Sequence, residues 1–242
     1  MTTPAKIHES AFVGPGVELG DNVVVGPGAV ILGPCIIEDS VYIAAGAQIG
    51  APPEMSTLPQ NAAWDGALDH AGVRICQGAV IRESVVIHQG TYRETTVGEG
   101  SWVLNRAYLA HDVLLGANST VSARVSIGGH CVIGDCVNIG MNASVHQRRI
   151  VGFGAMVGMG TPLSYDVPPF AKAYGSPSRM HGVNSVGMDR AGLTSEQAAQ
   201  LTEAYVQGDY LLERCANASG LVGQIVASWR SVGPGKIIPP AK

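Results

Sequence analysis

Residues 97–163 read VGEGSWVLNRAYLAHDVLLGANSTVSARVSIGGHCVIGDCVNIGMNASVHQRRIVGFGAMVGMGTPL, and every sixth residue of this stretch is aliphatic. The twelve anchors are Val97, Val103, Leu109, Leu115, Val121, Ile127, Ile133, Ile139, Val145, Val151, Val157 and Leu163. A period of six is typical of β-helix repeats, in which each hexapeptide forms one short strand and one turn. Three hexapeptides make a triangular coil, and successive coils stack about 4.8 Å apart, the spacing of paired strands. The stretch therefore predicts an all-β solenoid, a parallel β-helix whose anchors point inward.

The same period extends toward the N-terminus with two interruptions. Seven aliphatic anchors run at six-residue steps between residues 13 and 49, and three more follow between residues 75 and 87. Residues 51–74 break the register, and a four-residue slip at 93–96 separates the last two runs. The hexapeptides together predict about seven coils.

Composition and charge agree with this fold and exclude several classes of protein. The 242 residues are 46% hydrophobic but only 5% aromatic, and 32 are glycine, which suits tight turns around a small aliphatic core. A net charge of −4 argues against nucleic-acid binding, which usually needs a basic face. No apolar run is long enough to span a membrane, and residues 1–12 lack the apolar core of a secretory signal. Five cysteines, an odd number, favour a reduced, cytoplasmic protein.

The C-terminal part follows a different pattern, because the hexapeptide period is lost past residue 185. Thr194 and Gln197 have the spacing of a capping box, and the apolar residues that follow recur at helical intervals. We therefore predict a β-helix over residues 1–185 and a small C-terminal α-helical domain over residues 186–242. The final segment, PGKIIPPAK, is expected to fray.

Histidines recur along one face of the predicted prism. His111, His130 and His146 lie in hexapeptides that begin 18 residues apart, so these hexapeptides stack in three successive coils. If the slip at 93–96 is looped out, His88 joins the same face. Neutral imidazoles beside a cleft suit general-base catalysis near neutral pH. Asp112 follows His111 and could fix its tautomer, although neighbouring residues of a strand point in opposite directions.

A zinc site of the kind found in γ-class carbonic anhydrases is the competing interpretation. Hexapeptide β-helices similar to those enzymes usually carry a His-x4-His pair. The residues five positions before and after His111 are Arg106 and Gly116, so the pair is missing and we predict no metal. A non-catalytic scaffold is a third interpretation, and four histidines on one face argue against it.

Several segments resemble the UDP-N-acetylglucosamine O-acyltransferases of lipid A biosynthesis. They are IRESVVIHQGT (81–91), LAHD (109–112), IGMNASVHQ (139–147), DVPPF (166–170) and GVN (182–184), within a resemblance that covers about residues 10–205. The resemblance to hexapeptide-repeat proteins implies a left-handed β-helix, whereas the crossover rule alone would favour the right hand. It also implies a soluble homotrimeric acyltransferase that uses acyl carrier protein thioesters, with no cofactor and no metal.

The same resemblance implies roles for individual residues. His111 matches the general base, and Gly129 matches the glycine whose backbone N–H stabilises the thioester oxyanion. Met159 matches the residue that limits acyl chain length, where a bulky methionine predicts a short or medium chain. The substrate-lining positions are matched by His88, Tyr108, His130, His146 and Gln147, and positions near the donor and nucleotide by Asn184 and Arg190.

Four departures from the family pattern affect the acceptor. Tyr108 stands where the family has a histidine, Asp69 where it has a lysine, Pro177 where it has a histidine, and Ala191 where it has a second arginine. A carboxylate in place of a cation weakens binding of a diphosphate. The sequence therefore leaves two acceptors open, a UDP-sugar or another sugar or amine in specialised metabolism.

A cluster of cations could bind an acidic carrier protein. The candidates are Arg148, Arg149, Lys172, Arg179 and Arg190. Adjacent arginines can equally be a solvated edge, so a carrier-protein donor and a coenzyme A donor both stay open at this point.

Overall fold

The computed structural model describes residues 3–241, and its hexapeptides form short strands separated by turns. Residues 1, 2 and 242, the outer ends of the two predicted domains, lie outside the described residues. In chain order the strands are β1 (Lys6–Ile7), β2 (Phe12–Val13), β3 (Val17–Leu19), β4 (Val24–Val25), β5 (Val30–Ile31), β6 (Cys35–Ile37), β7 (Tyr42–Ile43), β8 (Gln48–Ala51), β9 (Val73–Ile75), β10 (Val80–Ile81), β11 (Val86–His88), β12 (Thr95–Val97), β13 (Trp102–Val103), β14 (Tyr108–Leu109), β15 (Leu114–Leu115), β16 (Thr120–Val121), β17 (Ser126–Ile127), β18 (Val132–Ile133), β19 (Asn138–Ile139), β20 (Ser144–Val145), β21 (Ile150–Val151), β22 (Met156–Val157), β23 (Pro162–Leu163), β24 (Ala171–Tyr174) and β25 (Arg179–Val183).

Three parallel sheets form the faces of the prism. The first sheet has the order β1-β4-β7-β10-β13-β16-β19-β22-β24-β25, the second β2-β5-β8-β11-β14-β17-β20-β23 and the third β21-β18-β15-β12-β9-β6-β3. Only the β24–β25 pair is antiparallel among the strand pairs of residues 3–241. The aliphatic anchors from Val25 onward are buried in the interior, as Ile31, Ile81 and Ile127 illustrate, whereas Val13 and Leu19 near the N-terminus are half-buried. The predicted parallel β-helix is therefore confirmed.

The number of coils is larger than the sequence predicted. The first sheet contains nine parallel strands, from β1 to β24, so the solenoid has about nine turns rather than seven. The expectation was low because the counted runs of anchors omitted the two terminal parallel strands of the first sheet, β1 with Ile7 and β24 with Ala173. The first coil begins at the exposed residues Lys6 and Ile7, and the last parallel strand of the first sheet, β24, follows two prolines that disrupt the period.

Both predicted interruptions leave the solenoid after a strand of the second sheet. Residues 52–72 follow β8 and contain one 3-10 turn, Ala63–Asp65, before the chain rejoins the third sheet at β9. The second interruption was predicted at residues 93–96 but lies at residues 90–94, between β11 and β12, because Thr95 and Thr96 belong to β12. Because β11 still pairs with β14 in parallel, the slip is a looped-out segment and the stacking of coils continues across it.

The C-terminal residues form three helices that pack on the end of the solenoid. They are α1 (Ser185–Arg190), α2 (Ser195–Val206) and α3 (Gly220–Ser231), with a 3-10 turn at Glu213–Cys215. The predicted capping box is present at the start of α2. The Tyr205 hydroxyl donates to Pro169 O at 2.6 Å, which ties α2 to the solenoid. No helix within residues 3–241 is both long and apolar enough to cross a membrane.

The C-terminal tail does not fray, which corrects the expectation from sequence. The Asp166 carboxylate accepts from the backbone N–H groups of Gly235 and Lys236, each at 2.9 Å, and Ile238 is buried. Asp166 is only 2% exposed, and a buried carboxylate needs several donors. The tail supplies two of them, so its backbone is held against the solenoid.

Candidate active site

The four histidines singled out in the sequence lie along one edge of the prism. They occupy β11 and the turns that follow β14, β17 and β20, four consecutive strands of the second sheet. We call this the histidine edge. The register pairs Val86 with Tyr108 and Tyr108 with Ser126, so equivalent turn positions stack coil upon coil. The predicted alignment of His88 with the other three therefore holds.

His111 and Asp112 form a hydrogen-bonded pair on this edge. His111 Nδ1 lies 2.7 Å from Asp112 Oδ2, and Asp112 is fully buried. A carboxylate only accepts, so Nδ1 carries the proton and Nε2 is left with a free lone pair. The two neighbours do not point in opposite directions, because they belong to a turn, where Asp112 has a left-handed φ of 60°.

The Asp112 carboxylate is surrounded by donors from the looped-out residues 90–94. Oδ1 accepts from Thr91 N at 2.8 Å, Tyr92 N at 3.2 Å and Arg93 N at 3.4 Å. Oδ2 accepts from the Thr91 hydroxyl at 2.7 Å. Burial alone would raise the pKa of Asp112, but the hydrogen bonds from His111, Thr91 and Tyr92 outweigh it and lower the pKa to about 2. Asp112 is therefore an anion at neutral pH.

His130 shares the same carboxylate from the next coil. Its Nδ1 lies 3.4 Å from Asp112 Oδ2, and its ring meets the His111 ring edge to face at 4.7 Å. The ring of Tyr92 stacks on its outer side at 5.7 Å. Burial, opposed by Asp112 and assisted by the charge of Arg148, lowers the pKa of His130. The edge thus presents two imidazoles around one buried anion.

Gly129 lies directly against the free nitrogen of His111. Residues 111 and 129 occupy equivalent turn positions of adjacent coils, and a Cβ at position 129 would lie 2.6 Å from His111 Nε2. Only glycine leaves the imidazole in place. Its backbone N–H has no acceptor within the described part of the chain, so this donor stays available close to the imidazole.

The first interruption supplies a second group of polar contacts at the histidine edge. His88 Nδ1 donates to Pro52 O at 2.7 Å, and the Tyr108 hydroxyl donates to Glu54. Glu54 Oε1 lies 3.7 Å from His88 Nε2, and this carboxylate is 58% exposed. Burial, together with the Glu54 carboxylate, raises the pKa of Tyr108 well above its usual range. Tyr108 is therefore a neutral donor, fixed by a residue of the inserted segment.

Sequence reasoning missed the residues that the two interruptions bring to this edge. They are Glu54, Thr91, Tyr92 and Arg93. One signal could have found them, because both interruptions leave the solenoid after hexapeptides of the sheet that carries the histidines.

An open groove continues from these residues along the second sheet. It has a volume of about 850 Å³ and is lined by Tyr108, His146 and Gln147, with the small side chains of Ser126 and Ser144 along its floor. His146 Nδ1 lies 3.1 Å from Gln147 O, so this nitrogen carries a proton. An open groove of this volume, lined by polar and small side chains, suits an extended substrate.

Three predicted substrate residues do not lie on the histidine edge of the same chain. Asn184 and Arg190 line a hollow of about 520 Å³ on the first sheet, together with Lys172. Met159 follows β22 of the first sheet and is 68% exposed. Asn184 also caps α1, because Oδ1 accepts from Gly187 N at 3.1 Å and Nδ2 donates to Gly154 O at 2.9 Å.

The predicted basic cluster is divided among different environments. Arg149 forms an ion pair with buried Asp166 at 3.3 Å, so it stabilises the fold and is not a free surface cation. Arg179 donates to Ser178 O at 2.9 Å. Lys172 and Arg190 share the first-sheet hollow, and Arg148 lies near His130. A single basic surface made of all five cations is therefore not formed within one chain.

One group of side chains within residues 3–241 could hold a metal ion. The ligand atoms of His111, Asp112 and His130 all lie within 4.8 Å of one another. Two imidazoles and one carboxylate are a ligand set that zinc accepts. The Asp112 oxygens, however, already accept from Thr91 and His111, which fits a hydrogen-bonded dyad.

Comparison with known proteins gives consistent results. A family model described as Udp N-acetylglucosamine O-acyltransferase, domain 2, matches residues 166–207, and a bacterial transferase hexapeptide model matches residues 16–51. An acyl-[acyl-carrier-protein]–UDP-N-acetylglucosamine O-acyltransferase from Campylobacter concisus is 32% identical over 83% of this chain and 75% of its own length. One from Thiobacillus denitrificans is 30% identical over 83% of each chain.

Solved structures agree with the sequence relatives. UDP-N-acetylglucosamine acyltransferase from Campylobacter jejuni superimposes with a TM-score of 0.80 at 25% identity, over 98% of both chains. The Bacteroides fragilis enzyme gives 0.76 at 27% identity, over 98% of this chain and 99% of its own. The fold class, a left-handed parallel β-helix of hexapeptide repeats with a small C-terminal helical part, is confirmed.

Proposed function

The chain belongs to the UDP-N-acetylglucosamine O-acyltransferase family, and on that premise we propose that it transfers an acyl chain from an acyl carrier protein thioester to a hydroxyl of UDP-N-acetylglucosamine. The observation that carries the proposal is the His111–Asp112 pair, whose free nitrogen lies against Gly129 in the next coil. A base and an oxyanion donor on either side of one reacting atom are what acyl transfer requires.

The chemistry follows from the tautomer of His111. Nε2 removes the proton from the acceptor hydroxyl, and the oxygen attacks the thioester carbonyl. Attack forms the C–O bond and an oxyanion that the Gly129 N–H stabilises. The C–S bond breaks as the carbonyl re-forms, and the imidazolium gives its proton to the carrier thiolate. Asp112, with a pKa of about 2, stays ionised and stabilises the imidazolium between these steps. The reaction needs no cofactor.

A homotrimer would complete this site. Asn184 and Arg190 line a hollow on the first sheet and Met159 follows that sheet, so we expect them to meet a substrate on the histidine edge of a second copy. The first sheet also exposes apolar side chains, with Tyr42, Trp102 and Met156 between 42% and 46% exposed. A cyclic arrangement that sets this sheet against a neighbour's histidine edge would cover them and close the groove.

A different acceptor is the second candidate within the same reaction class. Glu54 is a carboxylate at the mouth of the site, and Asp69 is an exposed carboxylate in the same inserted segment. Acidic groups favour a ligand with many hydrogen-bond donors, such as an aminosugar or a simple amine, and weaken binding of a diphosphate. Use of a carrier-protein donor would place either reaction in the cytoplasm.

An acyl-transfer screen tests the proposal directly. The purified protein is incubated with acyl carrier protein thioesters of several chain lengths and with UDP-N-acetylglucosamine, other UDP-sugars or simple amines, and products are identified by mass spectrometry. We expect O-acylated UDP-sugar with the wild type. His111→Ala should lower kcat by roughly 10²- to 10⁴-fold, as expected for loss of a general base. His8→Ala, which removes an exposed histidine at the other end of the solenoid, is the matched control.

The same protein preparation also tests the alternative that the chain is a zinc enzyme. Metal analysis and a carbon dioxide hydration assay are run before and after chelation. Absence of acyl transfer to every acceptor, combined with one zinc per chain and hydration that depends on His111, would contradict the acyltransferase proposal. Acyl transfer that survives chelation supports it.

A further inference from the structure

The looped-out residues 90–94 form a tight turn with a close backbone approach. A Cβ at Gly90 would lie 1.6 Å from Arg93 O, so only glycine allows the chain to fold back here. The segment is tied at both ends to the first interruption, because Gly90 N donates to Gly72 O at 3.0 Å and Thr95 N to the same oxygen at 3.1 Å. The extra residues therefore have one defined conformation.

The backbone N–H groups of residues 91–93 and two of the side chains there are directed at one residue. Three consecutive backbone N–H groups and the Thr91 hydroxyl donate to the Asp112 carboxylate, between 2.7 and 3.4 Å. The Arg93 guanidinium donates to Asp112 O through Nε at 3.0 Å, and Thr95 Oγ1 accepts from Asp112 N at 2.9 Å. Successive N–H groups around one oxygen make an anion-binding concavity. Asp112 is thus held through its side chain and through both of its backbone polar groups.

We infer that residues 90–94 are a positioning element for the base and that Thr91 is its positioning residue, acting on His111 through Asp112. The inference rests on the proposed function, in which His111 is the base. Thr91 differs from the other donors because its hydroxyl shares Oδ2 with His111 Nδ1, each at 2.7 Å. The Thr91 hydroxyl therefore fixes the position of Asp112 Oδ2 and offsets part of its negative charge. This oxygen is the acceptor that orients the His111 imidazole.

Several charged and titratable groups face Asp112 together with the Thr91 hydroxyl. His111 faces the carboxylate from its own turn, His130 from the next coil, and Arg93 from residues 90–94, while Arg148 acts on His130. Removing one donor concentrates negative charge on Oδ2. The carboxylate then stabilises the imidazolium of His111 more strongly. As pH falls, His111 is therefore protonated, and stops acting as a base, at a higher pH.

The test compares Thr91→Val with Thr91→Ser. Valine keeps the shape and the backbone N–H but removes the hydroxyl, whereas serine restores it. With Thr91→Val we expect kcat to fall roughly 10- to 100-fold, the range for one hydrogen bond to a charged group, with KM for both substrates little changed. The acid limb of the kcat/KM profile should move to higher pH, and Thr91→Ser should restore both. Thr96→Val is the matched control, because that hydroxyl bonds only Glu94 O, at 3.3 Å.

A readout without turnover separates this inference from the proposed function. Nitrogen NMR of histidine-labelled protein follows the imidazole of His111, whose titration should move to higher pH in Thr91→Val and return in Thr91→Ser. If the wild type transfers no acyl chain, the proposed function fails, and the NMR titration still decides the positioning role. Wild-type kcat and titration in Thr91→Val would overturn the inference. A fall in kcat with neither titration shift nor serine rescue would overturn it as well.

Discussion

At the scale of single residues, the geometry of the turn decides which side chains meet. Asp112 and His130 occupy equivalent positions of adjacent coils, and both adopt a left-handed φ near 60°. His111 and Gly129 occupy the preceding position of the same two coils. Because adjacent coils are about 4.8 Å apart, side chains at equivalent positions compete for the same space. The His111 ring fills the space that a Cβ of residue 129 would need, so only glycine fits beside it.

Gly129→Ala tests this competition for space. The added Cβ would meet His111 at 2.6 Å, so the imidazole must move away from the reacting atoms. We expect kcat to fall by at least about 10²-fold, since a displacement near 1 Å has that effect. The melting temperature should change little, because the backbone at Gly129 is not left-handed. The control is Ala123→Gly, one hexapeptide earlier on a different edge. Normal turnover in Gly129→Ala would contradict the proposed contact.

The Asp112 carboxylate makes stability depend on pH with a definite sign. Its pKa is lowered from 3.8 to about 2 in the folded chain, so its contribution is present above the unfolded pKa and is lost as pH falls through the folded one. The shift corresponds to about 2 kcal/mol. Urea unfolding of wild type and Asp112→Asn should therefore differ by about 2 kcal/mol more at pH 6 than at pH 2. Asp65→Asn, an exposed carboxylate, is the control, and a pH-independent difference would contradict the assignment.

At the scale of elements, the irregular segments carry much of the specificity of the molecule. The regular coils supply a stack of turns, while residues 52–72 and 90–94 bring the partners of Tyr108 and Asp112 to the histidine edge. The tail after α3 acts similarly at the other end, where Asp166 links it to the last coils. These segments have no hydrophobic period, so their positions depend on hydrogen bonds to buried polar groups.

Asp166→Ala should release the C-terminal tail. The variant leaves Arg149 without its partner and removes the acceptor for Ile150 N, Gly235 N and Lys236 N. Breaking a buried ion pair on one side costs about 3 kcal/mol or more. Hydrogen exchange should show lost protection at Gly235 and Lys236. Asp189→Ala, which removes an exposed carboxylate on α1, is the control and should leave the exchange unchanged. A tail that stays protected in Asp166→Ala would show that Asp166 does not hold it.

At the scale of the whole molecule, the proposed substrate residues are divided between separate parts of the prism surface. His111 lies on the histidine edge, whereas Asn184 and Arg190 line the first-sheet hollow and Met159 follows the first sheet. A rigid triangular prism cannot bring these surfaces together by bending. A functional site that uses both therefore requires two chains.

Mixing two inactive variants tests whether sites are shared between chains. His111→Ala and Arg190→Ala should each be nearly inactive as pure proteins. In a refolded equal mixture of cyclic trimers, one interface of each mixed trimer combines an intact His111 with an intact Arg190, so about a quarter of wild-type activity should return. The mixture must first be shown to exchange subunits. If its activity is then no higher than that of the pure variants, His111 and Arg190 do not act together across two chains.

Met159→Gly tests the proposed limit on acyl chain length. The side chain is 68% exposed in one chain, which leaves it free to meet a substrate held by a neighbour. Each buried methylene contributes about 0.8 kcal/mol, so removing an obstruction should favour longer chains steeply. We expect a wild-type preference for short or medium chains and an optimum several carbons longer in Met159→Gly. Met159→Leu keeps the bulk and should keep the wild-type profile. Identical profiles for all three proteins would exclude Met159 as the limit.

The sequence by itself determined the solenoid, the histidine edge and the family. A period of six fixes which residues point inward and which turns stack, so the alignment of His88, His111, His130 and His146 follows from counting. Tertiary structure alone decided that Asp112 points at His111, that Glu54 and Thr91 reach this edge, and that Arg149 pairs with Asp166. The hexapeptide period predicts only residues whose surroundings recur in every coil. Side chains in loops and left-handed turns are positioned by contacts with residues far away in the sequence. The hexapeptides therefore encode the scaffold locally, and the contacts of the site arise only when the interruptions fold onto it.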